Sequence, residues 1–350
     1  MSMRFSVAIP IWNDAYWLPG AIESVLAQSH QDWELVIGDN ASSQDLASVV
    51  ARYDDPRIRY HRFERHVDAS ANHNRTMALS RYEWIQVLCA DDRLHPRCLG
   101  RSAARLSEAA RSSTRVAMLV TACRRVDASG QPTDIVRTDR VSYRPVQLQC
   151  IPDGQYGAER WLCANAAPGV RPWMIGSVAI AADLFDEVGG FRAEMGLCHD
   201  LELTMRVAAY GDVVYVDEPL LDYTVREDSI TATLVRQHVR QGSAMVEVGA
   251  AWLSILSTHQ ARRQVSTAER QAIHAAIARA FLQRALLHAT AAEGHGRRAA
   301  LLDVVRAGWY SPRTTVLTWR VAVAMAAMLA PRFVIDQATV LGHRLGLVVI

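Results

Sequence analysis

Strand-like and helix-like hydrophobic patterns alternate along the first third of the chain. Residues 5–11, 33–37 and 58–62 have the short apolar runs of buried strands, and residues 18–28 and 45–53 between them have helical periodicity. Parallel strands need a crossover between them, usually a helix. The alternation therefore predicts an α/β protein built from βαβ units, with a mostly parallel sheet flanked by helices.

A later strand pattern ends on two adjacent carboxylates. Residues 83–90 run directly into Asp91 and Asp92, and Asp39 follows an earlier strand in the same way. Open α/β sheets bind ligands at the carboxyl ends of their strands, and adjacent acids repel each other unless a cation offsets them. Mg²⁺ and Mn²⁺ prefer oxygen ligands together with substrate phosphates. The pair is a candidate metal site, and an Asp-Asp helix cap on a solvated turn is the alternative.

Composition excludes several kinds of chemistry. All 38 basic residues are arginine, so a Walker-type lysine, a Schiff base and a lysine general base are absent. The net charge of +2 gives no case for nucleic-acid binding. Residues 9–13 read Ile-Pro-Ile-Trp-Asn where a dinucleotide-binding domain has Gly-x-Gly-x-x-Gly. The six cysteines form no Cys-x-x-Cys pair and are typical of a reduced, cytoplasmic protein.

Neither apolar segment near the chain ends has the pattern of a membrane anchor. Residues 5–12 are interrupted at once by Asn13 and Asp14 and lack a cleavage site, so we expect a strand instead of a signal peptide. Residues 321–329 are apolar but far shorter than the roughly 20 residues of a spanning helix. We expect a cytoplasmic protein whose C-terminal helices could contact the inner face of the membrane or form a homodimer.

The second half contains an irregular stretch and then a helix that begins with an acid. Residues 127–172, rich in Pro, Gly, Gln and Arg, predict an excursion from the sheet and a flap over a site. Compact patterning resumes with a strand at 176–180 and a helix at 198–207. Asp200 lies at the start of this helix, where the dipole and the free amides favour a negative charge. It is either a functional carboxylate or a plain N-cap.

Five segments occur in an order that matches one enzyme family. The first two are residues 6–13 and residues 33–42, which end on Gly-Asp-Asn-Ala-Ser. Asn74 and residues 83–92 follow, in register with an Asn-x-Gly-Leu and an Asp-x-Asp-Asp stretch of that family. Residues 189–206 contain Gly-Gly-Phe and then His-Asp-Leu-Glu-Leu, where the family usually has Glu-Asp-x-Asp-Leu. The sequence thus resembles the family 2 glycosyltransferases, inverting enzymes with the GT-A fold.

The resemblance implies a set of contacts to a nucleoside diphosphate sugar. Asp39 would hydrogen-bond the nucleotide base, while Pro10, Asn13 and Asn74 would line the nucleotide pocket. Arg226 stands where many relatives carry His. A guanidinium there would pair bidentately with the diphosphate, since arginine is not a normal metal ligand.

The resemblance also implies a metal, a base and an acceptor site. Asp91, together with Asp92, would hold Mn²⁺ or Mg²⁺ against the diphosphate. Asp200 would be the general base that takes the proton of the acceptor hydroxyl. The residues implied in acceptor binding are Trp173, Gly176 and His199. Cys89 and His199 depart from the family pattern, because Asp is usual at the first of these positions and Glu at the second.

These observations predict an inverting glycosyltransferase that moves a sugar to a glycan or lipid-linked glycan acceptor. The predicted catalytic domain is 1–235, with its nucleotide-binding half at about 1–125 and its acceptor half at about 126–235, followed by a helical region at 236–350. A nucleotidyltransferase is one alternative, although it usually needs a glycine-rich basic loop near its first strand. The other is a degenerate member that binds nucleotide or glycan without turnover, which the departures at Cys89, His199 and Arg226 leave open.

Overall fold

The computed structural model describes residues 3–133, 136–137, 142–143, 152–166, 174–226, 229, 243–290 and 296–317. Its strands are β1 (Phe5–Ile11), β2 (Trp33–Asp39), β3 (Ile58–Arg62), β4 (Trp84–Val87), β5 (Arg93–Leu94), β6 (Val116–Val126), β7 (Val136–Arg137), β8 (Ser142–Tyr143), β9 (Gly154–Tyr156), β10 (Val178–Ala181) and β11 (Asp212–Thr224). Its α-helices are α1 (Leu18–Leu26), α2 (Leu46–Val50), α3 (Ala69–Met77), α4 (Cys98–Ala109), α5 (Ala158–Ala166), α6 (Ala182–Val188), α7 (His199–Val207), α8 (Ser243–Arg262), α9 (Thr267–Thr290), α10 (Gly296–Tyr310) and α11 (Pro312–Leu317).

Most of the strands form a single sheet in the order β3-β2-β1-β4-β10-β6-β11-β5, with β9 beside β11. β3, β2, β1 and β4 are parallel to one another, and β6 is parallel to β11. β10 lies antiparallel between β4 and β6, so these six parallel strands all run in one direction. The predicted mostly parallel sheet flanked by helices is confirmed, and β5, β9 and β10 are its antiparallel members.

The element boundaries follow the sequence pattern closely in the first half. β1 and β3 have the predicted bounds, and β2 runs two residues further, to Asp39. The helix predicted at 18–28 ends at Leu26, because Gln28 leaves the helix and its side-chain amide donates to the carbonyls of Ser24 and His95. β4 ends at Val87, three residues before the predicted end, so the residues up to Asp92 form a loop.

Pro10 lies inside a central strand without disrupting it. β1 pairs with β2 as far as Ile11, but it pairs with β4 only as far as Ala8. Pro10 therefore lies past the last residue that pairs with β4, where its missing N–H removes no ladder bond on that side. The strand can therefore contain a proline next to its last residue and still keep the apolar side chains of Val7 and Ile9 fully buried.

One hydrophobic core joins the sheet to the C-terminal helices. Trp252 and Ile255 of α8 and Ile273 of α9 belong to the same buried cluster as the side chains of β1 and β4. His259 of α8 lies with its ring Nε2 at 2.8 Å from the carbonyl oxygen of Met205 in α7. The predicted C-terminal helices are therefore present, and α8 and α9 pack directly against the rest of the protein.

A capping box opens α9, as the sequence Ser-Thr-Ala-Glu at 266–269 predicts. The Ser266 amide donates to Glu269 Oε2 at 2.9 Å, and the Glu269 amide donates to Ser266 Oγ at 3.2 Å. Arg263 pairs with the same buried carboxylate. Among the helices that are described, none is both long enough and apolar enough to cross a bilayer.

Candidate active site

The carboxyl ends of the parallel strands meet at one edge of the sheet, and the loops there adopt unusual backbone conformations. Asn13 and Asp14, which follow β1, both have φ of 60°, and Ala41, which follows β2, has φ of 55°. In the described part of the chain these are the non-glycine residues with positive φ. Such conformations are costly for residues with a Cβ and concentrate at functional sites.

Asn13 ties the loop after β1 to the loop after β2. Its amide donates to Ser42 Oγ at 2.8 Å, and its side-chain oxygen accepts from the amide of Ser43 at 3.0 Å and from that of Gln44 at 3.4 Å. The left-handed backbone of Asn13 aims the side chain along the sheet edge, and these bonds hold it there. Asn13 thus shapes the loop beside Asp39.

Asp39 is a fully buried carboxylate at the end of β2. It accepts hydrogen bonds from the Ser42 amide at 2.9 Å, the Tyr60 hydroxyl at 2.6 Å and Arg62 Nη1 at 2.8 Å. Burial alone would raise the pKa of Asp39, but these three bonds hold it below its usual value, so the group stays ionised. Burial and the same carboxylate raise the pKa of Tyr60 to about 12.

A pocket of about 280 Å³ opens next to this carboxylate. It is lined by residues 42–47 together with Tyr60 and Arg62, two of the groups that donate to Asp39. Polar side chains of residues 42–45 and apolar side chains of Leu46 and Ala47 both contribute to its wall, and the pocket lies at the ligand-binding edge of the sheet.

The loop after β4 gathers three metal-binding side chains. One ligand atom each from Cys89, Asp91 and Asp92 lie within 4.8 Å of one another. Burial and the charge of Asp91 raise the pKa of Asp92 well above its usual value. Burial and the carboxylates of Asp92, Asp91 and Asp200 raise the pKa of the Cys89 thiol. Both shifts indicate that this loop concentrates negative charge that a cation would stabilise.

Asp92 is held from one side only. Its Oδ1 accepts from the Thr224 amide at 2.9 Å, whereas its Oδ2 is buried and has no hydrogen-bond partner among the described residues. Gly176 lies directly under it, since a Cβ on that residue would be 3.1 Å from Oδ2. The absence of a Cβ at Gly176 leaves room for the Asp92 carboxylate beside Leu221. Carboxylate oxygens with this spacing fit a divalent cation.

Arg226 brings a positive charge to the same loop. Its Nε donates to Asp91 Oδ2 at 2.7 Å and its Nη2 donates to Asp14 Oδ2 at 3.0 Å. The Arg226 side chain is only 9% exposed, and its guanidinium lies 5.5 Å from the ring centre of Trp17. Arg226 therefore joins the loop after β1 to the loop after β4 and offsets part of their negative charge.

Asp200 lies at the N-terminal turn of α7 and faces the same cluster. The N-cap of this helix is Cys198, which makes no side-chain capping bond, so Asp200 is not the N-cap. Its Oδ1 accepts from the Leu201 amide at 2.7 Å. Because Asp200 contributes to the raised pKa of the Cys89 thiol, its carboxylate lies within electrostatic range of the metal-binding loop.

His199, the residue before it, is fixed in an aromatic cluster. Its Nδ1 lies 2.7 Å from Ser70 Oγ, and its ring centre lies 5.2 Å from that of Phe191 and 5.6 Å from that of His73. Burial, reinforced by His199, lowers the pKa of His73 to about 4, so this neighbour is neutral near pH 7. The cluster orients the start of α7 and hence the Asp200 backbone.

A buried ion pair fixes the other end of this segment. Arg206 and Glu202 of α7 pair through two bonds of 2.8 and 2.9 Å, and Arg206 Nη2 also donates to the Gly190 carbonyl at 2.6 Å. Asn74 closes the same turn: its side chain donates to the Phe191 carbonyl at 2.8 Å and accepts from the Phe191 amide at 2.7 Å. Gly190 has φ of 64°, and a Cβ there would lie 2.3 Å from Asn74 Oδ1.

The structure brings most of the predicted site residues to one sheet edge. Those placed there are Pro10, Asn13, Asp39, Asp91, Asp92, Gly176, His199, Asp200 and Arg226. The side chain of Asn74 contacts the Phe191 backbone, so its contribution to a nucleotide pocket remains a prediction. Trp173 and part of the predicted flap, residues 134–135, 138–141, 144–151 and 167–172, lie outside the described residues. The prediction of an excursion from the sheet is wrong for β9, which lies within that stretch and pairs with β11.

Sequence reasoning missed several partners of these residues. Tyr60 and Arg62 on Asp39, and Asp14 on Arg226, were not singled out. Arg62 ends a parallel strand and could have been found by the rule that located Asp39. Asp14 gave no such signal, because its position depends on a left-handed loop.

Sequence comparisons place this chain among known proteins. Residues 6–119 match the sequence model of glycosyl transferase family 2. An uncharacterized Mycobacterium tuberculosis protein, MT1568, is 27% identical over 218 residues, which cover 61% of this chain and 65% of that protein. The putative colanic acid biosynthesis glycosyl transferase WcaA of Escherichia coli and the succinoglycan biosynthesis protein ExoO of Rhizobium meliloti are each 33% identical over 93 residues. This chain spans 33% of WcaA and 27% of ExoO.

Solved structures show the fold over the length of the chain. S. aureus TarS 1-349 in complex with UDP-GlcNAc is similar with a TM-score of 0.63, at 15% identity, over 98% of this chain and 92% of that one. The mannosyltransferase PcManGT of Pyrobaculum calidifontis, in complex with GDP-Man and Mn²⁺, is similar with a TM-score of 0.53, at 14% identity, over 99% of this chain and 86% of that one. The chain therefore has the GT-A fold, and its residues 6–119 are similar to glycosyl transferase family 2.

Proposed function

We propose that this protein is an inverting glycosyltransferase that moves a sugar from a nucleoside diphosphate sugar to a glycan or lipid-linked glycan acceptor. The observation that carries the proposal is the meeting of Asp200 with the Cys89, Asp91 and Asp92 loop at the edge that also holds Asp39. Glycosyl transfer with inversion needs a base and a diphosphate site on opposite sides of one sugar.

The donor site is proposed along the loops after β1, β2 and β4. Asp39 accepts from the nucleotide base, since a carboxylate can accept more than the three hydrogen bonds it already receives. Pro10, Asn13 and Asn74 shape the wall of this pocket. The Arg226 guanidinium, which now donates to Asp91, would donate to the diphosphate instead when the donor binds.

The residues that would hold a divalent cation are Asp91 and Asp92. The buried and unpartnered Oδ2 of Asp92 supports this assignment. When bound, Mn²⁺ or Mg²⁺ would offset the negative charge that develops on the departing diphosphate.

Asp200 is the proposed general base. A carboxylate at this position can accept the proton of the acceptor hydroxyl as the hydroxyl attacks the anomeric carbon. His199, fixed by Ser70, and Gly176, below Asp92, border the space where the acceptor would lie. Trp173 is proposed to join them. The names of WcaA and ExoO, both of polysaccharide biosynthesis, support a glycan or its lipid-linked precursor as acceptor.

A thermal-shift experiment tests the donor site. The purified protein is heated with UDP, GDP, dTDP and CMP, each with and without Mn²⁺. One diphosphate should stabilise the protein only with metal, by about 2.7 kcal/mol at a hundredfold excess over its Kd. Asp91→Ala should lose this shift. Without ligand, its melting temperature should stay close to that of the unaltered protein. A loss of thermal stability with unchanged nucleotide affinity would instead make Asp91 a structural residue.

A second experiment tests the base. Asp200→Asn should lower the release of nucleoside diphosphate from the donor sugar, in the presence of lipid or polysaccharide acceptors, by about 10²- to 10⁴-fold. Donor binding should stay unchanged. Asp183→Asn is the matched control, since Asp183 lies in the first turn of α6 and is exposed. Equal activity of the Asp200→Asn and Asp183→Asn variants would contradict the role of Asp200 as the general base.

A protein that binds the donor without turnover is the second candidate. The contact between Arg226 and Asp91 favours it, because a guanidinium already offsets the carboxylate that a metal would need. Such a protein would bind the nucleotide equally well with and without metal. Asp200→Asn and the unaltered protein would then show no difference in turnover.

A further inference from the structure

We propose that Cys89 is a direct metal ligand, so that the cation site is a mixed thiolate and carboxylate site that prefers borderline cations such as Zn²⁺ and Co²⁺ over Mg²⁺. The inference rests on the metal site of the proposed function and adds a ligand and a cation preference to it. Cys89 stands at a position where the resembled family usually has an Asp carboxylate.

The three side chains have the spacing of a common ligand set. Their ligand atoms lie within 4.8 Å of one another. Two ligands of one ion lie no more than about 4.5 Å apart when the bond lengths are about 2.3 Å to sulfur and about 2.1 Å to oxygen. A small side-chain rotation therefore brings Cys89 Sγ and both carboxylates around a single ion.

An independent observation points to a missing ligand. Asp92 belongs to the three-residue group and is only 1% exposed, and its Oδ2 has no hydrogen-bond partner among the described residues. Buried carboxylate oxygens are almost always paired, because an unmade bond there costs the full desolvation penalty. A cation between Asp92 and Cys89 would satisfy this oxygen.

The ligand types decide which cation is preferred. Thiolate sulfur is a soft ligand that selects zinc and similar ions, whereas Mg²⁺ takes oxygen ligands and keeps several waters. A site that contributes one sulfur and two carboxylates, beside the guanidinium of Arg226, is poorly matched to Mg²⁺. On binding, the Cys89 thiol loses its proton to solvent and the thiolate coordinates the ion.

Cobalt spectroscopy tests the inference without relying on activity. The metal-free, full-length protein, kept reduced with a phosphine, is titrated with Co²⁺ alone and then in the presence of UDP or GDP. We expect a near-ultraviolet band from thiolate-to-cobalt charge transfer that saturates at one ion per chain. Zn²⁺ should displace the cobalt at a concentration at least a hundredfold below that needed for Mg²⁺.

Variants of the ligands and of other thiols complete the test. Cys89→Ser should lose the ultraviolet band while visible cobalt bands persist, and Cys89→Asp should shift the preference toward Mn²⁺. Cys123→Ser and Cys163→Ser are matched controls at partly buried cysteines outside the metal-binding loop and should keep the band.

Three outcomes would overturn the inference. Visible cobalt bands without the ultraviolet band in the unaltered protein would show an oxygen-only site, which leaves the proposed transferase intact. A band that survives Cys89→Ser would place the thiolate elsewhere. No cobalt binding under any condition would remove the metal site itself, and the proposed function would lose its metal-assisted form as well.

Discussion

Arg226 Nε lies 2.7 Å from Asp91 Oδ2, although the two residues are 135 positions apart in the chain. The contact joins the end of β11 to the loop after β4. It means that the proposed cation site already contains one positive charge. A divalent cation bound at the proposed site would therefore compete with the guanidinium for the Asp91 carboxylate.

Removing this guanidinium should strengthen cation binding and weaken nucleotide binding. We expect Arg226→Met to raise Mn²⁺ affinity in the absence of nucleotide by about tenfold, because the loss of a partly buried pair is of the order of 1–2 kcal/mol. Nucleoside diphosphate affinity should fall by a similar factor if the guanidinium pairs with phosphate. Calorimetric titration of each ligand measures both effects.

Arg115→Met is the control for this substitution, since Arg115 pairs with Asp183 at 2.6 Å on an exposed surface away from the site. It should change neither affinity. If Arg226→Met leaves Mn²⁺ affinity unaltered, the guanidinium does not compete with the cation.

His73 should make the protein less stable in mild acid. Burial and His199 lower the pKa of His73 to about 4, while an unfolded histidine has a pKa of about 6.5. The unfolded chain therefore binds the proton first, so the contribution is complete above pH 6.5 and is lost as the pH falls toward 4. We expect His73 to account for about 1–3 kcal/mol of this loss.

Urea unfolding of the unaltered protein and of His73→Gln, measured at steps between pH 7 and 4, checks this contribution. The variant should show a smaller loss across that window, because glutamine does not titrate. His61→Gln, at an exposed histidine, is the control for removing an imidazole. Equal pH slopes for the unaltered protein and His73→Gln would contradict the prediction.

The pair of Arg206 and Glu202 in α7 should be a major stabilising contact of the helix that carries Asp200. Both side chains are fully buried. Arg206→Met removes two of the hydrogen bonds that Glu202 accepts and leaves those from Arg192 at 3.0 Å and Ser254 at 2.8 Å. We expect a loss of about 2–4 kcal/mol in the free energy of unfolding. The double variant Arg206→Met/Glu202→Met should recover part of that loss, because it leaves no buried charge.

Chemical denaturation measures this difference. Arg115→Met, which removes an exposed pair, should cost no more than about 1 kcal/mol. A similar small loss for Arg206→Met would mean that the pair is not needed to hold the turn at Gly190.

The part of this site that follows from local sequence was predictable. β/α alternation placed Asp39, Asp91 and Asp92 at strand ends, and parallel strands necessarily bring those ends to one edge. Asp200 followed from a helix start that carries an acid. These predictions depend only on periodicity and strand direction.

The contacts between distant segments were not predictable in the same way. The pairing of Arg226 with Asp14 depends on a left-handed backbone at a non-glycine residue, which periodicity does not report. The bonds of Asn74 to Phe191 depend on how α3 docks against the turn after α6. Each contact depends on how distant segments pack against each other, and local sequence patterns do not determine that packing.

Asp39 is the carboxylate proposed to contact the nucleotide base. Asp39→Asn should lower affinity for the preferred nucleoside diphosphate by about 10- to 100-fold, because the amide cannot accept the same set of hydrogen bonds. Tyr60→Phe, which removes one donor to Asp39, should have a smaller effect. Asp45→Asn is the matched control, since Asp45 lines the same pocket but caps α2 through the Ser48 amide. Calorimetry should show that Asp45→Asn alters stability and leaves nucleotide affinity unchanged. Equal losses of nucleotide affinity for Asp39→Asn and Asp45→Asn would contradict a specific contact between Asp39 and the nucleotide base.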